Sequence, residues 1–460
     1  MKNKYFGTDG FRGEVNVSLT AEHAYKIGRF LGWYFASDLC KTDKANGRPR
    51  IVIGKDTRRS SYMLEYALCS GIIASGGDAY ILHVTTTPSV SYVARTEGFD
   101  CGIMITASHN PFYDNGIKVI NRYGEKFDDD ATALIEKYID GDLKSLGIEG
   151  DDLPRAKRES IGAIIDYISG RNRYVGYLIS VASHSYKHLK IGLDCANGAV
   201  WSIAKSVFEA LGAVTYVVGD TPNGININEG CGSTHIENLC KLVREQHLDI
   251  GFAFDGDADR CIAVDEKGNE VDGDKMMYIL ANRLKSRGML KDDTVVVTIM
   301  SNSGFVNSLK KAGLNCELTT VGDRFVYERM QQKDFDLGGE QSGHIILKKY
   351  ATTGDGLLTA IMITEELCDS KKPLSKLAEP VFVYPQFTQN VRVNDKKAIM
   401  KNLAVLDAVK EVENKIDGKG RVLLRESGTE PVVRVMIECE DEKLCREYAA
   451  DIANVITENI

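Results

Sequence analysis

Ile51-Val52-Ile53-Gly54 is a short apolar strand, followed by Lys55-Asp56 and a polar loop. A helical pattern comes next and ends at Ala74-Ser75-Gly76-Gly77, before a second apolar run from Ala79 to Val84. The same order returns from Lys190-Ile191-Gly192-Leu193-Asp194, where the helix closes near Ala210-Leu211-Gly212 and a strand spans Val214 to Val218. It returns again from Val295-Val296-Val297, with Ala312-Gly313 closing the helix before Cys316 to Thr319. Glycine just past a helix end is a stop signal. Strand, helix, strand in sequence argues for βαβ units and a mainly parallel sheet. Any α/β protein yields some such units by chance, but three copies with matched punctuation argue for three related domains.

The C-terminal part differs. Val391-Arg392-Val393, Arg421 to Arg425 and Val432 to Ile437 read as strands, with helical patterns over roughly 395–414 and 441–458. This is a smaller α+β domain. The chain of 460 residues is too long for one core. The expected fold is therefore α/β in four domains, at 1–150, 151–252, 253–370 and 371–460. The stretch 140–154 and the region of Lys371-Lys372-Pro373 serve as linkers in this reading.

Composition narrows the function. Hydrophobic residues at 43% and charged residues at 27% are ordinary for a globular protein. A net charge of -8 argues against general nucleic-acid binding. No run of eighteen apolar residues suggests a membrane span, and the N-terminal residues lack the apolar centre of a signal peptide. The eleven cysteines are scattered without a Cys-x-x-Cys pair, which suits reduced thiols in a cytoplasm. No G-x-x-x-x-G-K-[ST] loop is present, which disfavours a nucleotide-driven kinase.

Four loops carry chemistry. Thr106-Ala107-Ser108-His109-Asn110-Pro111 follows the strand Cys101 to Ile105, so Ser108 is delivered to a sheet end, where α/β folds place ligands. Its hydroxyl is a candidate nucleophile. His109 could donate to a phosphate or act in proton transfer, and Lys118 could stabilise an oxyanion or move a proton. Asp255, Asp257 and Asp259 alternate in the second loop. They can converge on one divalent cation if Gly256 bends the backbone, and oxygen-only ligands suit Mg²⁺ or Mn²⁺ over zinc. Arg260 could contact a phosphate there. A calcium loop is the competing reading. Glu266 does stand at its twelfth position, but Arg260 occupies the sixth, where such a loop needs glycine, and the flanks read as strands rather than helices.

The third loop, Gly338 to His344, gathers Glu340, Gln341, Ser342 and His344, suitable partners for sugar hydroxyls. The fourth, Arg425-Glu426-Ser427-Gly428-Thr429-Glu430-Pro431 with Arg434 beyond, has the composition of a phosphate cradle. His184 and His188 have the i, i+4 spacing of a helical metal pair, but no carboxylate motif accompanies them, and a solvated surface fits better.

These four loops, in this order, resemble those of the α-D-phosphohexomutase superfamily over nearly the whole chain. Tyr5-Phe6-Gly7-Thr8-Asp9-Gly10 with Arg12-Gly13, Asn226 to His235, and Val321-Gly322-Asp323-Arg324 are similar to further segments of that family. Gln341 in the sugar loop resembles the bacterial branch acting on glucosamine phosphates, where glucose and mannose mutases more often carry Met. Phe11 and Thr320 depart from the commoner Ile and Lys.

The resemblance implies four domains around a central cleft, each giving one loop. It implies that Ser108 carries a phosphoryl group and that one Mg²⁺ is held by Asp255, Asp257, Asp259 and that phosphate. Arg12, His109 and Lys118 would join the catalytic set. Arg260, Glu340, Ser342 and His344 would hold substrate, and Arg425, Ser427, Gly428, Thr429 and Arg434 would grip the non-reacting phosphate. Glucosamine 6-phosphate and glucosamine 1-phosphate would interconvert through a 1,6-bisphosphate, and glucosamine or glucose 1,6-bisphosphate would act as activator. A phosphoglucomutase or phosphomannomutase, a metal-dependent phosphatase and a non-catalytic sugar-phosphate sensor stay open as alternatives, as does a homodimer.

Overall fold

The computed structural model describes residues 4–7, 9–40, 47–427 and 431–459. It forms two compact units, one of residues 1–299 with 317–378, the other of 300–316 with 379–460.

In the larger unit, a seven-stranded sheet runs in space as Phe6–Gly7, Gly10–Glu14, Asp114–Asn121, Cys101–Ile105, Arg50–Lys55, Asp78–Val84 and Ile164–Asp166. The last four are parallel, and the others are antiparallel. Every residue of Cys101–Ile105 is buried, as expected of a central strand covered on both faces. The helices Ala21–Tyr34 and Arg59–Ala74 pack backbone to backbone. A Cβ on Gly28 would stand 2.3 Å from the carbonyl of Leu68, and one on Gly71 would stand 2.2 Å from that of Tyr25, so only glycine permits this approach.

A five-stranded sheet follows in the order Glu270–Val271, Cys261–Val264, Ile250–Phe254, Lys190–Asp194, Val214–Val218. The last three are parallel. A four-stranded sheet is ordered Asn315–Thr319, Thr294–Thr298, Leu337–Gly339, Ile345–Leu347, with the last pair antiparallel.

The smaller unit holds an antiparallel sheet of Gln386–Arg392, Val432–Glu438 and Arg421–Glu426. Its core joins Val405 and Val412 of the helix Leu403–Ile416 to Ile452 and Ile456 of the helix Glu442–Glu458. Three α/β domains and a smaller C-terminal domain thus make up the chain.

The sheets depart from the sequence reading in three ways. They are mixed, because each parallel core is extended by an antiparallel strand. Ile164–Asp166 pairs with Asp78–Val84 in the first sheet, beyond the expected boundary at 150. Both strands flanking the aspartate loop lie in the second sheet, whereas the sequence reading starts a third domain at 253. The acidic stretch 140–154 is not a free linker either, since Leu146 and Leu153 are buried in the first core. His184 and His188 are not on a helix; His184 Nδ1 lies 3.0 Å from Glu365 Oε2.

Candidate active site

Three loops of the larger unit sit at the tips of equivalent antiparallel hairpins. The serine loop joins Cys101–Ile105 to Asp114–Asn121, the aspartate loop joins Ile250–Phe254 to Cys261–Val264, and the sugar loop joins Leu337–Gly339 to Ile345–Leu347. The register sets Lys118 opposite Met104, so the lysine returns beside the loop that its strand has just left.

Ser108 is 1% exposed and left-handed, at φ 52°. Its Oγ donates to Asp255 Oδ2 at 2.6 Å, and His109 Nδ1 lies 3.4 Å from the same oxygen. Asp255, Asp257 and Asp259 are buried, with one carboxylate oxygen from each within 4.8 Å of the others. Gly256 does not supply the bend expected of it, because the left-handed residue of the loop is Ala258, at φ 56°. Gly256 is needed for closeness instead: a Cβ there would lie 2.5 Å from the Ser108 carbonyl oxygen.

Asp257 Oδ2 accepts from Thr87 Oγ1 at 2.5 Å and from Lys118 Nζ at 2.7 Å, and Lys118 also reaches Asp259 Oδ2 at 3.1 Å. Asp257 Oδ1 and Asp259 Oδ1 are buried and have no hydrogen-bond partner among the described residues. Leaving such oxygens bare costs about 1–3 kcal/mol or more. Three converging carboxylates with two unmet oxygens are the donor set of a hard divalent cation, and the residues fit one.

Burial and the repulsion of Asp259 and Asp257 push the Asp255 carboxyl well above its ordinary range. For Asp259, burial works the same way, but Lys118 and His344 outweigh it and hold the carboxyl low. Burial lowers the His109 pKa, and Arg260 and Arg12 lower it further. Arg260 Nη1 lies 3.3 Å from His109 Nδ1; since a guanidinium only donates, Nδ1 carries the lone pair. The backbone N–H of Arg260 donates to Asp255 Oδ1 at 3.1 Å.

Glu340 Oε1 accepts from the Gly322 N–H at 3.1 Å, and Ser342 is exposed at the loop tip. His344, read from sequence as a sugar partner, is 3% exposed. Its Nε2 accepts from the Gly354 N–H at 3.0 Å and its Nδ1 lies 3.7 Å from Asp259 Oδ1, so it backs the third aspartate.

Sequence reasoning gave no role to Asp9, Lys126, Asp323 or Thr87. Arg12 Nη2 donates to Asp9 at 2.7 Å, and Lys126 Nζ bridges Asp9 at 3.1 Å and Asp323 at 2.6 Å. Asp9 and Asp323 lie inside segments whose resemblance to the family was legible; Lys126 carried no signal. A cavity of about 680 Å³ reaches this cluster and is lined by Asp9, Lys118, Asp259, Asp323 and His344, but not by Glu340 or Ser342.

In the smaller unit, Arg425 and Arg434 stand directly opposite each other on paired strands. Burial and the neighbouring Arg434 both lower the Arg425 pKa. Like charges so placed are destabilising unless an anion lies between them. Ser427 is buried, and its carbonyl accepts from Lys396 Nζ at 2.6 Å, a lysine the sequence reading passed over. Gly428 and Thr429 lie outside the described residues.

The chain matches the family described as phosphoglucomutase/phosphomannomutase in four pieces. These are alpha/beta/alpha domain I at 3–145, domain II at 171–268, domain III at 272–384 and the C-terminal domain at 389–455. The chain belongs to this family of phosphohexomutase isomerases. It is 56% identical to a phosphoglucosamine mutase of Lachnospira eligens and 47% identical to that of Bacillus subtilis, each over 98% of both chains. Among solved structures it resembles a family protein of Burkholderia thailandensis at TM-score 0.79 and 23% identity, over 99% of this chain and 97% of that one. It also resembles Aspergillus fumigatus N-acetylphosphoglucosamine mutase in complex with GlcNAc-6P and magnesium, at TM-score 0.69 and 17% identity over 99% and 96%. These two likenesses concern the fold.

Proposed function

We propose that the chain interconverts glucosamine 6-phosphate and glucosamine 1-phosphate. Ser108 carries the phosphoryl group, and a 1,6-bisphosphate is the intermediate. The observation that carries this reading is the Ser108 hydroxyl, buried and hydrogen-bonded to Asp255 beside two more carboxylates. The identity to phosphoglucosamine mutases supports the choice of sugar.

Asp255, Asp257, Asp259 and the phosphate on Ser108 would hold one Mg²⁺, which would neutralise charge on the transferring group. In the first half of the cycle the phosphoryl group leaves Ser108 for the free hydroxyl of the sugar monophosphate. That hydroxyl loses its proton as its oxygen bonds to phosphorus, and Ser108 Oγ regains one as its own P–O bond breaks, so one proton passes from the attacking to the leaving oxygen; His109, whose Nδ1 lies 3.4 Å from Ser108 Oγ, stands on the leaving side. The bisphosphate then turns over, and its other phosphoryl group returns to Ser108. Lys118 offers a fixed positive charge among the aspartates, and Glu340 and Ser342 hold sugar hydroxyls. Arg425, Ser427, Gly428, Thr429 and Arg434 grip the phosphate that is not reacting. Glucosamine or glucose 1,6-bisphosphate would reload an enzyme that lost its phosphate.

The test compares turnover of glucosamine, glucose and mannose 6-phosphates by one phosphorylated preparation, with inorganic phosphate followed in parallel. The expected result is fastest isomerisation of glucosamine 6-phosphate without phosphate release. Preference for glucose or mannose phosphate reassigns the substrate, and steady phosphate release reassigns the reaction to hydrolysis.

A further inference from the structure

Arg58 is a fully buried guanidinium shared between one carboxylate, Asp56, and the main chain of the serine loop. Its Nε donates to Asp56 Oδ2 at 2.8 Å, and Asp56 Oδ1 accepts from the Arg58 N–H and from Ser61 Oγ. The two outer nitrogens spend their hydrogens on main-chain carbonyls of the serine loop. Nη2 donates to Ser108 O at 3.0 Å and Asn110 O at 2.9 Å; Nη1 donates to Pro111 O and, at 3.1 Å, to Asp114 O. Asn228, from the second domain, adds its amide to two of the same oxygens, Ser108 O at 2.9 Å and Asn110 O at 3.1 Å. Gly256 presses against the Ser108 carbonyl from a third side.

What the clamp holds is strained. Ser108 is left-handed, a conformation that costs an L-residue with a Cβ on the order of 1 kcal/mol. Turning its peptide back would rotate the Ser108 carbonyl off Arg58 and Asn228 and move Oγ off Asp255. Charged donors to carbonyls are the stronger kind of hydrogen bond, and a desolvated guanidinium that lost them would be left bare. The fork therefore fixes the backbone on which the reactive oxygen rides.

We propose that Arg58, assisted by Asn228, is the positioning residue of the phosphoryl-carrying serine. It keeps Oγ aimed at the aspartate cluster while that oxygen alternates between hydroxyl and phosphoester. Arg58 acts through the loop backbone, not on the sugar. This rests on the reading of Ser108 as phosphoryl carrier.

The experiment uses Arg58→Lys, Arg58→Met, Asn228→Ala and Ser108→Ala in the full-length enzyme, with folding checked by thermal denaturation. Phosphorylation of Ser108 by glucose 1,6-bisphosphate is timed by intact mass, and kcat and KM are measured for the mutase reaction. A misplacement of about 1 Å at a reacting atom costs roughly a hundredfold in rate. Arg58→Met should therefore slow both phosphorylation and kcat by about a hundredfold, with KM within about threefold of wild type. Arg58→Lys should recover part of the loss, and Asn228→Ala should show a smaller loss of the same kind. In ³¹P spectra, the phosphoserine line of folded Arg58→Lys and Asn228→Ala should shift and narrow as the loop loosens. If Arg58→Met does not fold, Asn228→Ala and Arg58→Lys decide. Wild-type phosphorylation rates in both, or a change in KM alone, overturn the proposal. Activity surviving in Ser108→Ala overturns the underlying reading instead, so the two failures are told apart.

Discussion

The 2.6 Å hydrogen bond from Ser108 Oγ to Asp255 joins a nucleophile to a carboxylate 147 positions away in the chain. Ser108→Ala should lower mutase turnover by several orders of magnitude, and intact mass should show a phosphate adduct on the wild type that the variant lacks. Near-normal turnover by the variant would remove the serine from the mechanism. Asp257 is the second test at this scale. It gathers Thr87 and Lys118 on one oxygen and leaves the other bare. Asp257→Ala should lose activity that added Mg²⁺ does not restore, and EDTA should silence the wild type. Full wild-type turnover in chelator would show that the three carboxylates serve another purpose.

The hairpin is the element that makes the site. In each α/β domain, a buried strand runs out of the parallel core, turns through a polar loop and returns antiparallel. In the smaller unit, whose sheet is wholly antiparallel, paired strands bring Arg425 and Arg434 face to face. Losing one charge-assisted phosphate contact costs about 1.5–3 kcal/mol, roughly ten- to a hundredfold in binding. Arg434→Ala should raise KM accordingly, with some loss of kcat, because remote binding energy helps orient the reacting end. It should also release more 1,6-bisphosphate per product formed. No change in either quantity would leave this loop without a role in holding phosphate.

A helix offers a stability test of a different kind. Glu365, on Gly356–Ser370, accepts from the His184 N–H at 3.1 Å and Tyr186 Oη at 3.1 Å, and also from Ser183 Oγ. Burial opposes its charge, but the bonds from Ser183 and His184 outweigh it and lower its pKa. A carboxyl depressed in the folded state stabilises above its unfolded pKa, about 4.3, and loses that contribution as pH falls through its folded value. Glu365→Gln should cost about 1–3 kcal/mol at pH 7. The gap to wild type in urea midpoint should narrow below about pH 4.3. A gap that is constant with pH would mean that shape, not charge, is what Glu365 supplies.

At the scale of the whole molecule, eight cysteines are buried and Cys240, Cys316 and Cys368 are partly exposed. A thiol reagent should label those three first in the native protein and all eleven after denaturation. Fewer than eleven under denaturing, non-reducing conditions would reveal disulfides. Much of the molecule was legible beforehand because its signals are local. Glycine after a helix, unbroken apolar runs before each loop, and three aspartates in five residues are readable within a short window. The strands expected at 421–425 and 432–437 stand at Arg421–Glu426 and Val432–Glu438. What tertiary structure alone decided depends on partners far apart in sequence. A strand's direction is set by its neighbour, so the antiparallel return strands and the placing of the aspartate loop in the second sheet could not be read from periodicity. Ala258 takes the left-handed turn and Gly256 stands where the Ser108 carbonyl passes, an approach set by a residue 148 positions away. His344 belongs to Asp259, and Arg58 to the serine loop, because a buried charge goes wherever the fold brings an unmet partner, and sequence distance does not enter that energy.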